Sequence, residues 1–293
     1  MTRAPVTSVA DGVVDRVQRM SALDRIAEPV ATTVSNLLRR AGLKDVLSGS
    51  WFGHPLHPLL TDLPIGSWTS AMLLDLVGGR RAQPAADVLV AAGIVTAIPT
   101  AATGLSDWSD LGSEDRRIGL VHAASNTVAL GCYVASLVAR RGGRRTSGKL
   151  LGLAGASAAT AAGFLGGHLV YRRGAGVDHT AFDAGPKDWV AVDDIAPPGE
   201  GVMAAVSAGD VEVMVTRRDG ALCGLAERCS HQGGPLHDGE LVDGRVRCPW
   251  HASEFHLADG SVAHGPATAR QPVYDVRAES GILQVRRHSE EVP

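Results

Sequence analysis

The sequence reads as two joined architectures, an N-terminal all-α bundle of four membrane-spanning helices and a C-terminal all-β domain. Three observations lead there. Four apolar segments follow one another, roughly 57–78, 87–107, 118–139 and 150–171, and the last two carry no Asp, Glu, Lys or Arg, at a length sufficient to cross a bilayer. A polar, Gly-rich stretch follows at 174–187 and reads as a linker. Beyond it the texture changes to short β-type runs such as Val211–Thr216 and Ala221–Ala226, with Asp219-Gly220, Asp243-Gly244 and Asp259-Gly260 at turn positions.

Taken in order, residues 1–50 form an amphipathic helical segment, with Val13, Val14, Val17, Ile26, Val30, Val34, Leu37 and Leu38 recurring at helical spacing among charges. Residues 51–173 form the bundle. Its first segment is interrupted by Asp62 and Asp75, and reads as a span because the other three make membrane burial the consistent solution. Gly, Ala, Ser and Thr are abundant in all four, as close helix approach in lipid requires. The connections are short, so successive helices run antiparallel. Residues 188–293 form the β domain.

Composition narrows the function classes. The chain has 293 residues, 45% of them apolar, and a formal net charge of −3, which gives no basis for nucleic-acid binding. Four cysteines are too few for a disulfide scaffold. Residues 1–30 are polar and charged, without the apolar run of a cleavable signal. Membrane lipid is therefore the first expected partner.

Two of the cysteines stand at metal-ligand spacing with histidines. Cys229-Ser-His231 and Cys248-Pro-Trp-His251 each supply one thiol and one imidazole. Two Cys and two His suit either tetrahedral zinc or a [2Fe–2S] cluster with mixed ligation. One ligand of each type per loop favours the cluster, since zinc fingers usually pair Cys with Cys and His with His. Cys132 and Cys223 read as small apolar residues.

The surrounding residues carry a resemblance. Cys229-Ser-His-Gln-Gly-Gly-Pro-Leu236 and Cys248-Pro-Trp-His-Ala-Ser-Glu-Phe255 resemble the two cluster loops of the Rieske [2Fe–2S] family, and Gly265-Pro266-Ala267 resembles the proline loop that covers its cluster. The resemblance implies that Cys229 and Cys248 bind one iron and His231 and His251 the other. It implies the ferredoxin or oxygenase branch. The loop cysteines that form a disulfide in respiratory members are absent, with Trp250 and Gly234 or its neighbour in their places. Ser253 matches a hydroxyl that bonds to cluster sulfur in those members, but Phe255 replaces the corresponding Tyr. The implied function is a membrane-anchored one-electron carrier exchanging electrons with a reductase, a quinone or an oxygenase. Two alternatives stand beside it: a monooxygenase using a metal in the bundle, and a redox sensor.

The bundle carries its own histidines. His54 and His57 precede or open the first span, His122 opens the third, and His168 lies near the end of the fourth. In an up-down-up-down bundle these ends share one face, together with Trp51, Phe52, Trp108 and Tyr171 as an interfacial belt. Histidines converging from several helices read either as ligands of a haem b or another metal, or as caps at the lipid boundary. Gly-His-Pro-Leu-His-Pro58, Leu-Thr-Asp-Leu-Pro-Ile-Gly66 and Gly-Gly-His-Leu-Val-Tyr171 resemble signatures of a bacterial four-helix membrane domain of unknown function. The implied location is the bacterial cytoplasmic membrane, multi-pass. Arg140, Arg141, Arg144, Arg145 and Lys149 between the last two spans would put the β domain outside, but Lys44, Arg116, Arg117, Arg172 and Arg173 flank the other face, and the missing loop disulfide and export signal favour the cytoplasmic side.

Overall fold

In the computed structural model, which describes residues 9–192 and 195–289, the chain forms two units. The first holds α1 (Val9–Gln18), α2 (Asp24–Arg40) and four long helices. Lys44–Pro55, including the short α3 (Lys44–Ser48), belongs to the second unit with the chain from Gly176 onward. The long helices are α4 (Leu56–Val77), α5 (Gln83–Trp108), α6 (Ser113–Arg141) and α7 (Arg145–Arg173), matching the four apolar segments. Among the described residues three stretches, ending in α5, α6 and α7, are long and apolar enough to cross a membrane. α4, which carries Asp62 and Asp75, is not among them.

The N-terminal segment is broken rather than continuous: α1 stops at Gln18, and Gly42 and Gly49 adopt the left-handed backbone that ends α2 and α3. It buries Val14, Ala27 and Ala31 against Trp108, Leu111, Ile118, Leu165 and Leu169. Val13, Ile26, Val30 and Leu37 of the expected stripe are exposed instead. Arg117 fastens α2 to α6 by a two-pronged bond to Asp24, at 2.7 and 2.6 Å. Trp108, expected in an interfacial belt, is buried and donates its indole N–H to Arg116 O at 2.9 Å.

The bundle is a tandem pair of helical hairpins whose equivalent residues meet. His57 and His122 lie with ring centroids 6.4 Å apart, Trp68 and Tyr133 stack at 4.0 Å, and Asp75 pairs with Arg140. In each pair the partners are 65 positions apart in the chain. Residues 62 apart on α5 and α7 play matching parts. His57 bonds to Thr100 O at 2.9 Å and lies over Gly104; His122 bonds to Ala162 O at 2.8 Å and lies over Gly166. Trp68 lies against Gly93, and Tyr133 against Gly155. At all four glycines a Cβ would collide with the ring or crowd it, which is why helices of this bundle carry small residues there. α4 and α6 run in the same direction, so the hairpins are related by a pseudo-two-fold axis along the helices, the parallel-repeat arrangement known in membrane transporters.

At one end of that axis the two copies carry opposite charges. Asp75 and Asp87 come from the first hairpin, Arg140 and Lys149 from the equivalent places in the second. Arg140 is inaccessible (2%), donates to both carboxylates, and is further held by Ser136 Oγ at 3.0 Å. Arg145 adds a 2.7 Å bond to Asp87. The Asp75 that weakened α4 as an apolar span is thus neutralised inside the bundle.

The second unit is built on antiparallel strands in two sheets. The larger has the order β1 (Val190–Val192), β10 (Ile282–Arg287), β9 (Val273–Glu279), β4 (Ala221–Ala226), β3 (Val211–Arg218), β2 (Met203–Ala208). The smaller runs β5 (Glu240–Val242), β6 (Arg245–Arg247), β7 (Glu254–His256), β8 (Val262–His264). Asp219-Gly220 and Asp243-Gly244 form two-residue hairpins with positive φ at both positions, as does Ser280-Gly281. Asp259-Gly260 makes a wider turn, in which Asp259 caps Ser261 N at 2.9 Å. One core fills the larger sheet around Val213, Val215 and Leu283; a second, around Met214, Leu225, Leu236 and Phe255, lies under the metal-ligand loops.

The charge network gives a first expected outcome. Arg140→Ala, by stranding two carboxylates, should cost roughly 3–5 kcal/mol. The exchange Asp75→Arg with Arg140→Asp should recover a substantial part of it, because the two positions are equivalent. Thermal unfolding of the detergent-solubilised protein checks both.

Candidate metal centre

Cys229, His231 and their loop lie between β4 and β5; Cys248 and His251 lie between β6 and β7. The two loops have the same geometry. Cys229 N donates to Gly234 O at 2.9 Å and Cys229 O accepts from Gly233 N at 2.8 Å. Cys248 N donates to Ser253 O at 2.8 Å and Cys248 O accepts from Ala252 N at 3.0 Å. The fourth residue after each cysteine, Gly233 or Ala252, has positive φ. In each loop the N–H groups two and three residues on, from His231 and Gln232 or from Trp250 and His251, point at the cysteine sulfur. That reverse turn places the histidine beside its cysteine and supplies donors suited to a thiolate.

The loops meet thiol to thiol and imidazole to imidazole. The Cys229 and Cys248 thiols are hydrogen-bonding neighbours, 1% and 3% exposed. The bond from Cys229 draws the Cys248 pKa down to about 7, and the same bond with burial holds Cys229 well up. The His231 and His251 rings stand 5.1 Å apart, nearly perpendicular and half-buried. Among the described residues no three His, Cys, Asp or Glu side chains converge on the position of a single ion. The split into a buried sulfur pair and an outer imidazole pair suits two irons of different ligation. Gly234 is required for it: a Cβ there would come within 2.9 Å of Cys248 Sγ.

Residues not singled out in the sequence hold these loops. Gln271 is fully buried; its amide donates to Ala226 O at 2.8 Å and Arg228 O at 2.5 Å and accepts from Ser230 N at 3.0 Å. Ser230 Oγ donates to Ala269 O at 2.9 Å. The stretch read as a linker makes contacts with the first loop: His179 N donates to Ser230 O at 2.9 Å, and Arg228 grips His179 O and Asp183. Glu227, made a weaker acid by burial, hydrogen-bonds His237, whose pKa is raised by that bond. Over the second loop, Ala267 N donates to Ser253 Oγ at 3.0 Å, and Gly265, Pro266 and Ala267 are buried. Phe255 is fully buried beneath.

Of the four bundle histidines, two come together in the structure. His57 and His122 meet, but no third ligating side chain joins them among the described residues. Their Nδ1 atoms are engaged by helix carbonyls, and Asn126 Nδ2 lies 3.1 Å from His122 Nε2. The space beside Gly166 is taken by the His122 ring. His54 belongs to the other unit, its ring edge-on to Phe52 at 6.2 Å.

A β fold presenting paired Cys/His loops, attached to apolar helices, defines a membrane-linked iron–sulfur protein. The model of the Rieske [2Fe–2S] domain family matches residues 188–275, and that of a predicted membrane protein family, DUF2231, matches residues 53–179. The anthranilate 1,2-dioxygenase ferredoxin subunit of Burkholderia cepacia is 32% identical over 82 residues, 28% of this chain and 76% of that protein. Human apoptosis-inducing factor 3 is 33% identical over 103 residues, 34% of this chain. The chain spans only 17% of the length of that human relative. The ferredoxin of carbazole 1,9a-dioxygenase from Nocardioides aromaticivorans IC177 aligns with 35% of this chain and all of its own, at 24% identity and a TM-score of 0.32. The chain belongs to the Rieske [2Fe–2S] family through its C-terminal unit, joined to a DUF2231 membrane domain.

Gln271→Leu should destabilise the second unit by about 3 kcal/mol, because it strands an N–H and two carbonyls in the interior. Denaturant unfolding of the full-length protein measures this; a loss under about 0.5 kcal/mol would mean that water replaces the amide.

Proposed function

We propose that the protein is a membrane-anchored one-electron carrier, with Cys229 and Cys248 ligating one iron of a [2Fe–2S] cluster and His231 and His251 the other. The observation that carries this reading is the pairing of two identical turns so that buried thiols face each other and half-exposed imidazoles face each other. When bound, the cluster takes up and releases one electron. The chain's own residues set the terms. Backbone N–H groups aimed at both sulfurs favour the thiolate ligands. Phe255, Leu236 and Met214 keep water from the sulfur side. The imidazole side, flanked by the exposed Trp250, is where a redox partner gains the shortest approach.

The relatives support a partner of oxidoreductase class, since one is named as a dioxygenase ferredoxin subunit. For this chain we propose a reductase, an oxygenase or a membrane quinone as the exchanging partner. The helices supply the membrane anchor, in a bacterial cytoplasmic membrane with the iron–sulfur unit on the cytoplasmic side. Four cysteines without a disulfide among them agree with a reducing compartment.

Metal and sulfide analysis with absorption and spin-resonance spectra tests the reading. Two irons and two acid-labile sulfides per chain are expected, and stoichiometric zinc without sulfide would refute it. His231→Ala and His251→Ala should each abolish the signal. With no hydroxyl at position 255 and no loop disulfide, the midpoint should lie in the lower part of the Rieske range, roughly −150 to +300 mV. A redox titration near the upper limit would show that those two features do not set it.

A further inference from the structure

We propose that Asp45 is a positioning residue for the cluster, holding closed the loop that covers it; the role rests on the iron–sulfur reading above. Asp45 lies on α3, which belongs to the β unit although in sequence it shortly precedes the first long helix. Its Oδ1 accepts the Gly265 N–H at 2.9 Å, and its Oδ2 lies 3.1 Å from His264 Nδ1. The same segment closes on Gly265 from the side. A Cβ there would strike Ser50 Oγ and come within 3.0 Å of Ser48 Oγ, and those hydroxyls are 3.0 Å from each other. Segment and loop therefore fit with no room for a methyl group.

The contact leads directly to a ligand. Two residues beyond Gly265, Ala267 N donates to Ser253 Oγ, and Ser253 O accepts from Cys248 N. Asp45, the Gly265–Ala267 loop, Ser253 and Cys248 form one hydrogen-bonded series. Of the two bonds made by Asp45, the one to Gly265 is decisive. The pair with His264 is open to solvent on both sides, at 42% and 55% exposure, and such pairs contribute little. Gly265 is buried, and an amide deprived of its acceptor there has to open the loop to find water. Opening it would wet the cluster, and solvent exposure is among the factors that set the behaviour of iron–sulfur centres.

The test uses full-length protein in detergent, comparing wild type with Asp45→Ala, Asp45→Asn and Gly265→Ala. Hydrogen exchange at the amides of residues 265 and 267 is read beside the rate at which a chelator bleaches the visible cluster band. Asp45→Ala should exchange about tenfold faster at position 265 and bleach several-fold faster. Asp45→Asn keeps an acceptor oxygen and should stay near wild type. Gly265→Ala, which pushes Ser50 away, should bleach like Asp45→Ala from the opposite side of the contact. Unchanged exchange and bleaching in Asp45→Ala, or Asp45→Asn behaving like Asp45→Ala, would overturn the proposal. A wild type without a cluster band would remove the iron–sulfur reading instead, while the exchange comparison would still decide whether Asp45 holds the loop.

Discussion

The approach of two short loops until their thiols come within hydrogen-bonding reach is the constraint around which the β unit is built. Neither loop can do this alone, because each is only a reverse turn between two short strands. The contact tolerates nothing larger than hydrogen at Gly234, and it puts a non-glycine residue, Ala252, into left-handed backbone, at a cost on the order of 1 kcal/mol. Such geometry persists only where surrounding structure over-determines it. Here the support is a buried apolar floor of Leu225, Leu236 and Phe255, and buried polar ties from Gln271 and Ser253 that satisfy the loops' own amides. The apolar floor excludes water from the sulfurs, and the polar ties fix register; each would be insufficient without the other.

A comparable logic governs the bundle. In lipid, apolar side chains gain nothing by leaving one apolar surroundings for another, so helix association depends on close packing and on polar pairs. Both are present in layers along the pseudo-two-fold axis: a histidine pair, a Trp–Tyr stack and an ion pair. The opposite charges of the two hairpins add selectivity. Two copies of the first hairpin would oppose Asp75 to Asp75, and two copies of the second Arg140 to Arg140, so only the unlike pairing neutralises the charges. The buried pair therefore does more to choose the partner than to add net stability, since desolvation offsets much of its attraction.

Much of this was legible in the sequence, and what was missed has physical causes. Apolar runs and Asp-Gly turns located the long helices and two hairpins, because both signals are local. The candidate ligands were legible because spacing of Cys and His within a loop is also local. The repeat in the bundle was not, since equivalent positions hold different residues, Trp68 with Tyr133 and Asp75 with Arg140, and only packing reveals them as equivalent. Asp75 looked like an interruption because its neutralising partner lies 65 residues away. Gln271 gave no signal, as a lone Gln before a strand is indistinguishable from a solvated one until its burial is known. Shared depth in a bundle does not fix the direction of a ring: His57 and His122 each turn one nitrogen to a helix carbonyl, which the helix ends alone did not predict.

The redox unit is larger than the family domain it contains. The family match begins at residue 188, yet the first cluster loop is tied at Ser230 O by His179, and the covering loop is tied at Gly265 by Asp45. Both ties come from segments adjacent in sequence to the membrane helices, one following α7 and the other preceding α4. In chain order the cluster loops are thus connected to the anchor through two short segments rather than one tether. Each of these segments lies within the β unit and contributes a hydrogen bond to a cluster loop or to its cover. Because both segments belong to the β unit, cutting it back to the family match would strip one hydrogen bond from the first ligand loop and one from the loop over the second.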